Sequence, residues 1–294
     1  MASAKEIKNH IGSVKNTQKI TNAMYLIAST KLRRAREGLA RTQPYFDALR
    51  TEIARAFQCA GRVNSPYVAT NREQREDDVY AVIVLTADRG LAGAYNQNVV
   101  KAAQQLIASH KNTRLFVVGD WGRQFFLSRG VAVEEDFFYP SQSPDLPRAR
   151  EMGAHLLDLY ERGEIQKLYV VYTELHGMTQ RVRTDELLPI EPERFVDGTQ
   201  HKEFRFEPSA DAVIASAVPS YVTGYLYSAM VESFCAEQSA RASAMDAASD
   251  NAQELLDALT MEYNHERQGA ITQEITEVSA GARAKKKKEG GARK

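Results

Sequence analysis

From the first residues onward, apolar positions recur at helical spacing. Ile7, Ile11, Val14, Gln18, Thr21, Tyr25, Ala28, Leu32, Ala35 and Leu39 follow alternating steps of four and three. That spacing predicts a coiled-coil seam, softened in its middle by Gln18 and Thr21. A second stripe of Ile20, Met24 and Ile27 lies beside it. Ser3 and Glu6 form an S-x-x-E capping box, which marks the helix start. No breaker follows until Gly38 and Pro44; helix resumes there and fades near Gly61. A continuous helix of about 55 residues would be about 80 Å long.

The period changes in the middle of the chain. "VYAVIVL" (79–85), "RLFVVG" (114–119) and "KLYVVYTEL" (167–175) are apolar on nearly every residue. Such runs suit strands covered on both faces. Helical segments separate them, at about 97–110, 121–129 and 146–162. Strand alternating with helix predicts a parallel, doubly wound sheet. "RVRTDELLPI" (181–190) alternates and is expected at an edge, and 192–201 is expected as loop.

Helical pattern returns at Pro208-Ser209, with Pro219 expected to break or kink it. Between Ser220 and Ala280 there is no proline, and Gly224 and Gly269 are the only glycines. The centre is rich in small residues, among them Ala236, Ser239, Ala240, Ser243, Ala248 and Ala252, which permit close backbone approach. The terminal "ARAKKKKEGGARK" is expected to be disordered.

The fold class expected is therefore α/β: a long antiparallel coiled coil of the two terminal helices plus a doubly wound, mostly parallel domain. The boundaries are 1–60, 76–206, 208–282 and a tail of 283–294. Helices this long exceed a domain of about 130 residues, whose radius of gyration is about 14 Å. Most of the pair should project, and apolar residues on its outer side should meet something else.

Charge adds to this picture. The net charge is zero, but residues 1–60 hold eleven basic against four acidic side chains, and residues 219–280 hold two against ten. Ends of opposite sign, +7 and −8, are expected side by side. No run reaches the length of apolar sequence that a spanning helix needs, and no cleavable leader is evident. Two cysteines far apart, Cys59 and Cys235, suit free thiols that fill small packing sites in a reducing compartment.

The residues offer little catalytic chemistry. There is no P-loop, H-E-x-x-H, G-x-S-x-G or EF-hand pattern. His265 is expected in solvent. "TADRGLAGAYN" (86–96) follows the first strand, where α/β folds bind ligands. Gly90 and Gly93 do not complete G-x-G-x-x-G, so a tight turn is preferred over nucleotide binding. Lys285–Lys288 offer a cationic patch for nucleic acid, but they follow a strongly acidic helix, and a solvated tail is preferred. A doubly wound ligand-binding enzyme and a nucleic-acid scaffold are the competing readings.

Three motifs together carry a resemblance. "SVKNTQKITNAMYLIASTKLRRA" (13–35), "DRGLAGAYN" (88–96) and "ASDNAQELLDALTMEYNHERQGAITQEITE" (248–277) resemble, in order and spacing, the gamma subunit of F-type ATP synthase in its bacterial form. The resemblance implies a central rotary shaft. Its paired helices would stand inside a ring of alpha and beta subunits, with the α/β domain near epsilon and the membrane rotor ring. Proton flow would turn the shaft, and ATP chemistry would belong to the beta subunits, with no catalytic residue, cofactor or metal here and no nucleic acid bound. The location implied is the cytoplasmic face of the bacterial cell membrane, peripherally held.

Carried over by position, Lys19, Met24 and Lys31 match the segment that faces the beta subunits' acidic lever. Glu237, Arg241, Arg267, Gln268 and Thr272 match positions that meet their catch loops. Departures from the family pattern include Ala242 after Arg241, Gly269 in place of alanine, Ala92 in place of cysteine, and four lysines after the apolar tip.

Overall fold

The computed structural model describes residues 3–60, 63–69, 75, 77–177, 179–195, 206–207 and 209–291. Its helices are α1 (Ala4–Ala60), α2 (Tyr95–Ala108), α3 (Asp120–Leu127), α4 (Leu146–Glu161) and α5 (Ala210–Gly291). Its strands are β1 (Tyr80–Leu85), β2 (Thr113–Val118), β3 (Lys167–His176) and β4 (Thr179–Leu188). Contacts divide the chain into two compact units, 1–26 with 244–294 and 27–243. The division cuts across α1 and α5, which each contribute to both units.

In the first unit the N-terminus is closed by the expected reciprocal cap. Ser3 N–H donates to Glu6 Oε2 at 2.8 Å, and Glu6 N–H to Ser3 Oγ at 3.3 Å. Ile7 and Val14 of α1 pack with Ala252, Leu256 and Leu259 of α5. Gln18 Nε2 donates to Gln253 Oε1 at 3.0 Å, and Ser249 Oγ to Asn22 Oδ1 at 3.0 Å. Partner numbers fall as α1 numbers rise, so the helices run antiparallel. The buried positions of α1 include Ile7, Val14, Thr21 and Ala28, spaced by seven. The intervening seam slips by one residue: Met24 is half-buried, whereas Tyr25, expected inside, is exposed. Asn22 lies close to Ser249; the slim Met24 chain suits a close helix approach better than a tyrosine ring.

The second unit is built on a four-stranded sheet of order β2-β1-β3-β4. β1 pairs parallel with β2 and with β3, and β4 returns antiparallel along β3. One face carries Ile83, Leu85, Phe116, Leu168 and Val170 under α4 and parts of α1 and α5. The other carries Val82, Val84, Leu115, Val117 and Val171 under α2 and α3. The parallel strands are covered on both sides, which is why their sequences are continuously apolar. Glycines mark close approaches between segments. Gly119, at φ 94°, leaves room for the Thr86 carbonyl, and Gly224 leaves room for the Phe46 ring.

Four further expectations need correction. Pro44 and Pro219 lie inside continuous helix and interrupt neither α1 nor α5. Buried Ile214, Val218 and Val222 flank Pro219, and their packing outweighs one lost backbone bond. Helix α5 runs to Gly291, so the segment expected to be disordered is helical that far; alanine and lysine are good helix formers. Cys235 is buried but Cys59 is exposed, so only one thiol fills a packing site. The expected loop at 192–201 holds a short 3-10 turn, Pro192–Arg194, and its 196–201 part lies outside the described residues. No helix among the described residues is long and apolar enough to cross a membrane.

Candidate functional site

A buried polar group in the second unit joins α5 to the loop after β1. Arg241 Nη1 donates to Glu237 Oε1 at 2.6 Å, one helical turn away. Arg241 Nη2 donates to the Gly90 carbonyl at 3.1 Å and the Arg89 carbonyl at 3.5 Å. Glu237 is buried, and its Oε2 has no hydrogen-bond partner among the described residues. Burial raises the Glu237 carboxyl above the ordinary glutamate range; Arg241 opposes that shift, Asp88 adds to it and Lys31 opposes it. Burial, with Glu237 nearby, likewise raises the Tyr95 phenol.

The loop itself is held from within. Leu91 and Gly93 take positive φ, 63° and 54°, which turns the chain sharply from β1 into α2. Asn96 Oδ1 accepts from Ala87 N–H at 2.9 Å. The Asp88 carboxylate accepts from the backbone N–H groups of Asp120 at 3.3 Å, Ser141 at 2.9 Å and Gln142 at 3.1 Å. Asp120 opens α3. Asp88 thus ties the loop after β1 to the start of α3 and to the 141–142 backbone, an internal role that suits a structural turn. An acidic residue just past a strand end was visible in the sequence; the N–H groups that donate to it, up to 54 residues away, were not.

The other expected contact residues fall into two groups. Lys19 and Lys31 are exposed on α1 and Met24 is half-buried. Arg267, Gln268 and Thr272 are exposed on α5, where Thr272 Oγ1 donates to the Gln268 carbonyl at 2.9 Å. Glu237 stands apart from both groups as an interior residue. Exposed apolar side chains accompany the accessible ones: Ile20, Leu26 and Ile27 on α1, and Met261, Ile271, Ile275 and Val278 on α5. Among the described residues no group of three His, Cys, Asp or Glu side chains is arranged to hold a metal.

This arrangement agrees with what known proteins resemble. The family model described as ATP synthase matches residues 3–284. The ATP synthase gamma chain of Caldanaerobacter subterraneus subsp. tengcongensis is 38% identical over 291 residues, covering 95% of this chain and 98% of the relative. The chain belongs to the ATP synthase gamma-chain family. A second gamma chain, from Acetivibrio thermocellus, is 36% identical over 97% of this chain and the whole of the relative. Among solved structures, a chain of the Euglena gracilis mitochondrial ATP synthase OSCP/F1/c-ring assembly shares the fold. Its TM-score is 0.62 at 16% identity, covering 96% of this chain and 94% of that one. A chain of the rotor of the same enzyme gives a TM-score of 0.58 at 15% identity, covering 91% and 98%. The terminal helix pair and the α/β sheet are thus common features of the gamma-chain fold.

Proposed function

We propose that this gamma chain is the rotating central shaft of a bacterial F-type ATP synthase. It couples a proton-driven membrane ring to the catalytic beta subunits and carries no catalytic residue itself. The observation that carries this reading is the antiparallel pairing of the two chain ends in one unit that still presents Met261, Ile275 and Val278 to solvent. A helix pair with an apolar outer surface suits enclosure by other subunits. Each angle of an asymmetric shaft makes different contacts with each neighbour, and those differences bias the neighbours between open and closed states.

Under this reading Lys19, Met24 and Lys31 bear on an acidic lever of the beta subunits, and Arg267, Gln268 and Thr272 meet their catch loops. Glu237 and Arg241 act one step back, bracing α5 against the 86–94 loop. The α/β domain then has epsilon and the membrane ring as neighbours. The complex holds the chain at the cytoplasmic face of the cell membrane. Affinity purification of the tagged chain from its own cells tests the proposal. The expected result is one copy per ring of three alpha and three beta subunits. Recovery solely as a free monomer would overturn it.

A further inference from the structure

The second unit contains a cleft of ≈ 500 Å³ that the shaft reading does not use. Its lining includes Phe46 of α1, Tyr225 and Glu232 of α5, and five successive residues of β4, from Arg183 to Leu187. Successive strand residues point to opposite faces, so a cleft that meets all five runs along the strand's edge. β4 is that edge: it pairs with β3 alone among the described residues. An open edge strand is a template for a further strand.

The chemistry beside this edge is aromatic and anionic. Tyr225 Oη donates to Asp185 Oδ2 at 2.6 Å, Tyr172 Oη to the same oxygen at 3.4 Å, and Arg183 pairs with Asp185 at 3.3 Å. Glu232 is left over. Its Oε2 is buried without a hydrogen-bond partner among the described residues. The groups facing it are Glu174 and Asp185, with Arg183 as the opposing cation, and Asp47 and Arg50 of α1 line the same cleft. A half-buried carboxylate without a donor is costly, and an ammonium group would satisfy it. The tyrosine rings suit the same cation.

We propose that this cleft binds an extended, lysine-bearing segment of a partner polypeptide, which adds a strand to the outer edge of β4 and delivers an ammonium group to Glu232. Main-chain pairing along the edge supplies affinity, and the carboxylate with its aromatic walls selects the side chain. A free diamine would satisfy the carboxylate and leave the strand edge unused. The inference stands independently of the shaft reading.

Calorimetric titration of the full chain with acetyl-Thr-Lys-Thr-Lys-Thr-Lys-amide tests it. Comparison probes are the peptide with glutamate for lysine, the lysine peptide N-methylated at alternate backbone nitrogens, and 1,5-diaminopentane. The lysine peptide should bind, and the glutamate peptide should not. Backbone methylation and Glu232→Gln should each weaken binding by about tenfold or more. Binding should also weaken as pH falls through about 7, where Glu232 takes up a proton. No binding at millimolar peptide, or equal binding to the folded Glu232→Gln protein, would overturn the proposal. So would a diamine that binds as tightly as the peptide, because the site would then belong to a free cation. The methylated peptide needs no protein variant, so the strand-pairing arm holds even if Glu232→Gln disturbs folding.

Discussion

Arg241 and Glu237 form a 2.6 Å ion pair one turn apart on α5, with side-chain exposures of only 13% and 4%. Removing the cation leaves a buried carboxylate with no opposing charge bonded to it and frees the carbonyls of Arg89 and Gly90. Arg241→Ala should therefore destabilise the second unit by about 3 kcal/mol. The double variant Arg241→Ala with Glu237→Gln should recover much of the loss. Chemical denaturation of the two proteins measures this; a single variant as stable as wild type would show that the pair is unimportant.

Gly224 and Phe46 set the distance between α5 and α1 in the same unit. A Cβ at residue 224 would lie 2.0 Å from Phe46 Cδ1 and 2.3 Å from Cε1. Gly224→Ala should lower stability by about 1–3 kcal/mol through overpacking, despite the better helix propensity of alanine. Phe46→Leu on the same background should restore part of it. Thermal melts in which Gly224→Ala proved more stable than wild type would contradict the close approach.

Asp88 ties the loop after β1 to α3 and to the 141–142 backbone. Asp88→Ala should cost about 2 kcal/mol, because several N–H groups lose an ionised acceptor. Hydrogen exchange should speed up at Ser141 and Gln142, whose N–H groups the carboxylate accepts. Added ATP should leave exchange of the 86–96 loop unchanged in the wild-type chain. Protection of that loop by nucleotide would revive the enzyme reading.

Glu232 makes stability depend on pH. Burial first, then Glu174 and Asp185, push its carboxyl from the ordinary 4.5 up to about 7, and Arg183 opposes them. The folded state binds this proton more tightly than the unfolded state does. The stabilising contribution is therefore complete below about 4.5 and is lost as pH rises through about 7. Glu232→Gln should gain stability relative to wild type across that interval and keep the gain at pH 8. Melting temperatures that run parallel from pH 4 to pH 8 would exclude this role.

Met24 is half-buried on α1, and Lys19 and Lys31 of the same helix are exposed. If the shaft proposal holds, Met24→Lys adds charge where the rotor bears on the beta subunits. ATP synthesis by the assembled complex should fall more than ATP hydrolysis, while the melting temperature of the isolated chain changes little. Unchanged synthesis would remove Met24 from the contact surface.

The long helices, the strand runs and the edge placement of β4 were legible because each depends on local periodicity. Ile7, Val14, Thr21 and Ala28 repeat every seven residues and are buried. Val82, Ile83 and Val84 are apolar on both faces and lie between two helical layers. The capping box joins Ser3 to Glu6 within one turn. Even so, local pattern placed Tyr25 inside, where the structure half-buries Met24, because one residue of helical phase is decided by the partner helix.

Tertiary structure decided the fate of the polar groups. Glu237 and Arg267 look alike in sequence, as charged residues on one acidic helix, yet the first is buried and the second is exposed. The difference is what covers each position: the carbonyls of Arg89 and Gly90, bonded to Arg241 across more than 150 residues, close over Glu237's turn of α5. The cleft beside β4 has the same origin, since Phe46, Asp185 and Glu232 come from three distant segments. Periodicity in a sequence tells how many apolar faces an element has. The environment of a charge is a sum over all neighbours in space, and that sum exists only once the chain has folded.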